Sequence, residues 1–402
     1  MAKTSPIHPS DIAGLGRLAI DATMGVSALV EALHGNIARA PGIFDTPSDG
    51  PASGIPGLVY QGIRSVTGLV GVGIDALLPQ LLPLLPQGRP APERDAILAA
   101  LNGVMGDYLA AAGNPLAISM GLRRKGRALS LETPALAAAI PHAGRKLIVL
   151  IHGLCMNDRQ WTRKGHNHGT ALARDLGYTA IHLHYNSGLH ISTNGQDFAR
   201  MLENLVGQWP VPVEEIVILA HSMGGLVSRS AVHYATAAGH KWPGRLRKMI
   251  FLGAPHHGTP LERLGNAMTA GLHLSPYTDA FARLGEIRSS GITDLRYGNL
   301  LEEDWCGRDR FDRSGDLRSP VPLPAKVQCY AIAANLEKKS GLNTALLGDG
   351  IVPVNSALGR HPDPRMNLSF ADSRQWVGYA MNHFDLLSKP AVYGQIRLWL
   401  AE

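Results

Sequence analysis

Cysteine is scarce: Cys155, Cys306 and Cys329 are the only three in 402 residues. An odd, widely spaced set supports no disulfide framework and matches no metal-ligand spacing. Charged residues are also few, at 17%, against 45% hydrophobic, so the chain has ample material for a core and is not of the disordered class. The formal net charge is +6, yet Lys and Arg form no long block. Nucleic acid is therefore not an expected partner, and at most a weak attraction to anionic surfaces follows. A clean apolar run long enough to span a bilayer is missing too. Residues 58–86 come nearest, but Arg64, Asp75, Gln80 and repeated prolines interrupt them. They read either as helices packed on the body or as a surface that meets lipid peripherally. The opening MAKTSPIHPSDIAGLG lacks the order of a secretory signal, so a cytoplasmic location is the expectation.

What is present is an alternation of two periods. Residues 1–112 read as a mainly helical N-terminal extension, broken by Pro/Gly/Ser stretches at 41–56 and 83–92 and ending in a helix near 93–112. From 113 to 402 the pattern changes. LAISMGL and RALSLE flank a turn and predict a hairpin. Short apolar runs follow at KLIVLIHG, 179–185, 215–222, 247–255 and 326–334, with helical stretches at 167–176, 194–209, 224–238 and 390–401 between or after them. Such runs are strands buried on both faces. Strands alternating with helices predict a mostly parallel, doubly wound α/β sheet. The alternation lapses between 258 and 324, which reads as a cap insertion.

The strongest local signal is IVILAHSMGGLV, in which a buried strand meets Ala220-His221-Ser222-Met223-Gly224 and a helix starts at once. A serine on so sharp a turn is pushed outward, and small neighbours are needed where strand and helix nearly collide. Gly224 and Gly225 supply that room, while Ala220 stands where glycine is commonest. Ser222 is the candidate nucleophile. The N–H of Met223 at the helix start, and that of Leu154 after the strand ending His152-Gly153, are the candidate oxyanion donors. A serine needs a base, and the base needs a carboxylate to set its tautomer. In that chain order the acid candidate is Asp349, framed by Gly348 and Gly350, with Asp363 and Asp372 as rivals; the base candidate is His383, ahead of His273 and His361.

With these motifs in order, HGL (152–154), AHSMGG (220–225), LGAPHHGT (252–259), GDGIVP (348–353) and NHFDLL (382–387), the chain resembles the α/β-hydrolases of the bacterial lipase/esterase group from about residue 115 to 402. The resemblance implies hydrolysis of a carboxylic ester, on a small molecule or a lipid, through an acyl-enzyme and without a cofactor. It also places His256, His257 and Gly258 beside the site. An acyltransferase or an intracellular polyester depolymerase would use the same three residues. A lipid-surface binding protein with a vestigial hydrolase body is the remaining alternative.

Seventeen histidines invite a metal reading. His166 and His168, like His182 and His184, sit two apart, but neither pair is completed by further ligands at zinc spacing, so no metal is expected. His221, Trp161, Tyr185 and His190 are the candidate substrate-binding residues, with core packing as the plainer role for Trp161 and loop support for Tyr185 and His190.

Overall fold

The computed structural model describes residues 92–259, 289–309, 315–338 and 348–402. The apolar stretch 58–86 and most of the N-terminal extension lie outside them, as does much of the expected cap. Among the described residues no helix is long and apolar enough to cross a membrane.

The expected sheet is present. Strands β1 (Gly121–Arg124), β2 (Arg127–Ala128), β3 (Lys146–Ile151), β4 (Thr179–His184), β5 (Glu215–His221), β6 (Leu246–Leu252), β7 (Gln328–Asn335) and β8 (Gln375–Tyr379) lie in the order β2-β1-β4-β3-β5-β6-β7-β8. The β1–β2 hairpin is antiparallel and joins β4 antiparallel, whereas β4, β3, β5, β6, β7 and β8 are all parallel to one another. Strand β8, with its mixed Gln-Trp-Val-Gly-Tyr composition, has no clear sequence signal. It is half-buried at the sheet edge, where a continuous apolar run is not required.

Eight helices accompany the strands among the described residues: α1 (Pro92–Ala111), α2 (Thr133–Ala139), α3 (His168–Leu176), α4 (Ile191–Gln208), α5 (Met223–Ala237), α6 (Ser290–Asp294), α7 (Val354–Ala357) and α8 (Pro390–Ala401). Their ends follow from local chemistry. Asn167 accepts from the Thr170 N–H to cap α3, and Gly177 closes it in the left-handed conformation at φ 73°. Pro390 opens α8 at a position where its missing N–H costs nothing.

Because side chains alternate along a strand, each central strand feeds two cores. Val149, Ile218 and Phe251 join one, beneath Phe198 and Leu202 of α4 and Leu226 and Ala231 of α5. Leu150, Leu219 and Ile250 join the other, beneath Leu172 of α3 and Ile396 and Trp399 of α8. Burying one such Leu, Ile or Phe contributes about 1.5–3 kcal/mol, so the two layers fix which way each strand faces. Lys248 of β6 caps this arrangement, its Nζ donating to the Trp399 carbonyl in the last turn of α8 at 2.7 Å.

The chain divides into two compact units. The larger takes in Asp95–Ala110 and Ile118–Glu402, and so most of α1. The smaller takes in residues 1–94 and 111–117; its described part includes a turn in which the Ala117 N–H reaches the Asn114 carbonyl. Within the larger unit α1 is kinked at Met105 (φ −143°, ψ 25°). Two glycines let it approach the strand ends. A Cβ on Gly103 would lie 2.2 Å from Cys155 Sγ, and one on Gly106 1.9 Å from Asn186 Oδ1.

Candidate active site

Ser222 stands between β5 and α5, as the N-cap of the helix, with φ 54° and ψ −128°. A side chain other than glycine is rarely held there, and such a conformation costs on the order of 1–3 kcal/mol unless its surroundings enforce it. They do so by close approach. A Cβ on Gly224 would sit 2.5 Å from the Ile151 carbonyl oxygen and 2.6 Å from that of His152, and one on Gly225 would sit 2.4 Å from Ala254 Cβ. The Ser222 N–H donates to the Leu252 carbonyl at 2.9 Å, tying the turn to the end of β6. Ala220 is fully buried and pairs in register with Ile151 and Phe251, so its methyl is accommodated within the sheet.

Met223 is the first residue of α5, where the N–H has no acceptor within the helix. Gly153 lies against the serine, since a Cβ on it would be 2.9 Å from Ser222 Cβ. This brings Leu154, the next residue, beside the turn. Cys155 follows at φ 58°, with its N–H donated to Ser187 Oγ at 3.1 Å. Burial pushes the Cys155 thiol up to about 12, so it is no nucleophile at neutral pH.

Asp349 and His383 come together from separate loops. The carboxylate Oδ2 accepts His383 Nδ1 at 2.7 Å, and Oδ1 accepts the N–H groups of Ile351 and Val352 at 3.0 and 2.8 Å. The turn demands glycine at 348: its φ is 52°, and a Cβ would lie 1.9 Å from the Val352 carbonyl oxygen. His383 opens a short 3-10 turn capped by Asn382, whose side chain accepts from the Phe384 and Asp385 N–H groups. The rivals stand apart from this pair. Asp363 caps the turn at Pro364–Met366 and binds Arg365, while Asp372 opens another short turn. His361 contacts His257 and Asp316. His273 lies outside the described residues.

The serine turn and the histidine turn are joined through His221. Its Nε2 donates to the His383 carbonyl at 3.2 Å, and the two rings are 4.6 Å apart. Burial, then the proximity of His383, keeps His221 neutral, well below the usual histidine range. A Cβ on Gly253 would fall 3.1 Å from the His383 ring, so the end of β6 also abuts it.

The four expected substrate-binding residues are placed as follows. Trp161 is completely buried, edge-on to His168 and His221. Tyr185 is buried and stacked on His152, with its hydroxyl donated to the His152 carbonyl at 2.8 Å. His221 is buried as described. His190 precedes α4, donates Nδ1 to Asp294 at 3.0 Å and stacks on Trp305 at 3.7 Å. Each of these rings packs against another ring of the body. The histidine pairs have similar roles. His168 Nε2 donates to the Leu386 carbonyl and its Nδ1 meets His166 Nε2, bracing the histidine turn, while His184 lies 3.7 Å from Asp158. Among the described residues no group of three or more His, Cys, Asp or Glu side chains is placed to hold a metal ion.

Sequence reasoning missed the contribution of α1 and of residues 289–294, which lie inside the stretch read as a cap. Ser290 donates its N–H and hydroxyl to Asp107 Oδ2 at 2.9 and 2.8 Å. Gly291 packs over the serine turn, where a Cβ would lie 2.9 Å from Met223 Cε and 2.1 Å from the Ser187 carbonyl oxygen. Gly103, Gly106 and Gly291 are the signals, but a glycine's close approach is invisible until its neighbour is known.

Residues 142–308 match the model of a family described as a PGAP1-like alpha/beta domain. No curated protein sequence matches the chain. Among solved structures, the chain is similar to the mature form of lipase BlEst2 from Bacillus licheniformis, at 21% identity over 63% of this chain and 90% of that one, with a TM-score of 0.39. For the propeptide form of that lipase the figures are 20%, 69%, 53% and 0.40, so the chain spans about half of that form's length. An esterase from Pyrococcus furiosus is similar at 12% identity over 64% of this chain and 80% of that one, with a TM-score of 0.36. The eight-stranded, mostly parallel sheet with helices on both faces is consistent with the α/β-hydrolase fold, and residues 142–308 of it are similar to the PGAP1-like alpha/beta domain.

Proposed function

We propose that the chain is a serine hydrolase of carboxylic esters, with Ser222 as nucleophile, His383 as base and Asp349 as the carboxylate that orients it. The observation that supports this reading is the Asp349–His383 pair, whose histidine carbonyl is bonded by His221, the neighbour of a serine in strained backbone geometry at a helix N-terminus. With Nδ1–H held by Asp349, His383 presents an unprotonated Nε2 that can take the serine proton. Ser222 Oγ then attacks the ester carbonyl, and the oxyanion is stabilised by the N–H groups of Leu154 and Met223, each worth about 3 kcal/mol of barrier. The positive end of α5 favours the same charge. His383 returns the proton to the leaving alcohol, and a water activated by the same imidazole releases the acid.

Ser222→Ala should retain the fold by circular dichroism and lose p-nitrophenyl ester hydrolysis by a factor of at least about 10³. A folded variant with the wild-type rate would remove the proposal.

A further inference from the structure

We propose that a cavity lined by Arg229, His256 and Arg318 is a binding site for a small oxyanion, a phosphate or carboxylate group, separate from the Ser222 site. The cavity has a volume of about 220 Å³. A water occupies ~30 Å³ in the liquid, so there is space for such a group with a short substituent. None of Ser222, Asp349 and His383 lines it. Arg229 lies seven residues beyond Ser222 on α5, about 10 Å along the helix axis.

Arg229 is the centre of the argument. Its guanidinium is buried in the middle of α5, yet among the described residues no carboxylate forms an ion pair with it. Its Nη2 donates to the Val321 carbonyl and its Nη1 to His256 Nδ1 at 3.3 Å, while its Nε is buried with no hydrogen-bond partner. Because His256 Nδ1 accepts, the neutral ring carries its hydrogen on Nε2, and that atom too is buried without a partner. Arg229 and His256, which both line the cavity, thus each carry a buried donor without a partner, and Arg229 carries a positive charge with no carboxylate bound to it. Leaving such a charge unpaired is costly, and an oxyanion held against Arg229 supplies the countercharge.

The other charges around the cavity are already engaged. Asp304 accepts the N–H groups of Leu300, Leu301 and Ser319. Arg318 is held by Asp316 and donates to the His256 and Gly298 carbonyls. Arg365, largely exposed and paired with Asp363, places part of the lining at the surface and gives a ligand a way in. Guanidinium geometry matches phosphate and carboxylate equally well.

Thermal unfolding and calorimetric titration of the full chain with inorganic phosphate and with butyrate, at ionic strength matched by chloride, test the site. One saturable site for either anion is expected, with Tm raised by roughly 2 °C at ten times Kd. Phosphate binding alone would mark a phosphate site, and butyrate binding or competition a carboxylate one. Arg229→Met should weaken binding at least tenfold. If that variant does not fold, selenate soaked into wild-type crystals gives the answer: an anomalous peak against the Arg229 guanidinium supports the site. Binding of neither anion, an unchanged affinity in Arg229→Met, or a selenate peak only elsewhere would overturn it. The measurement uses no ester and should be unaffected by Ser222→Ala, so it stands or falls independently of the hydrolase reading.

Discussion

Asp349 grips His383 at two points: Oδ2 accepts the ring Nδ1 at 2.7 Å, and the Asp349 carbonyl accepts the His383 backbone N–H at 3.1 Å. The backbone contact survives a change of side chain; the ring contact does not. Position and tautomer of the histidine are thus set by different bonds.

Asp349→Asn should separate the two. The amide keeps the turn but can donate to Nδ1, favouring the wrong tautomer. Under the proposed mechanism kcat should fall by about 10⁴ while the thermal midpoint changes little. Ester hydrolysis beside a melting curve checks this, and a near-normal kcat would place the acid elsewhere.

Gly224→Ala should destabilise the protein. Its new methyl would meet the Ile151 and His152 carbonyl oxygens at 2.5 and 2.6 Å, and backbone cannot swing aside as a side chain can. Overpacking of this kind costs about 1–3 kcal/mol. Guanidinium denaturation should show a lower midpoint with an unchanged slope.

Stability should fall as pH is lowered from neutral toward about 4. Burial lowers His152, His168 and His182 from 6.5 to about 4. The unfolded chain therefore binds more protons than the folded one between those values, so the contribution of these neutral histidines is full above about 6.5 and is lost as pH falls toward 4. Each contributes a slope on the order of 1 kcal/mol per pH unit in that window. Denaturation at a series of pH values measures it, and a flat profile from 7 to 4 would contradict the burial of these rings.

Thiol labelling should distinguish the three cysteines. Cys306 is exposed, whereas burial pushes the thiols of Cys155 and Cys329 up to about 12. In the native protein at mildly alkaline pH a disulfide reagent should modify Cys306 rapidly and the others only on unfolding. Rapid reaction of Cys155 would indicate an open loop beside Ser222.

Much of the fold was legible because the strands β3, β5 and β6 are continuous apolar runs with turn residues after them, and the helices α3, α5 and α8 have the complementary period. Strand β8 was not legible, since an edge strand needs no such run. The serine turn was also readable, because the crowding that requires Gly224 and Gly225 is local to one strand-turn-helix unit.

The amino-acid sequence by itself determined the alternation that builds a parallel sheet, the strained turn at Ser222 and the order in which the acid and base candidates follow it. All of these depend on neighbours along the chain. Only the tertiary structure decided which side chains meet across it. It set Asp349 against His383, tied His221 to the His383 carbonyl and packed Trp161 and Tyr185 into the body. It also placed Gly103, Gly106 and Gly291 at close approaches far apart in sequence. A contact between distant residues depends on how two layers pack on the sheet, and no local pattern of residue types encodes that distance.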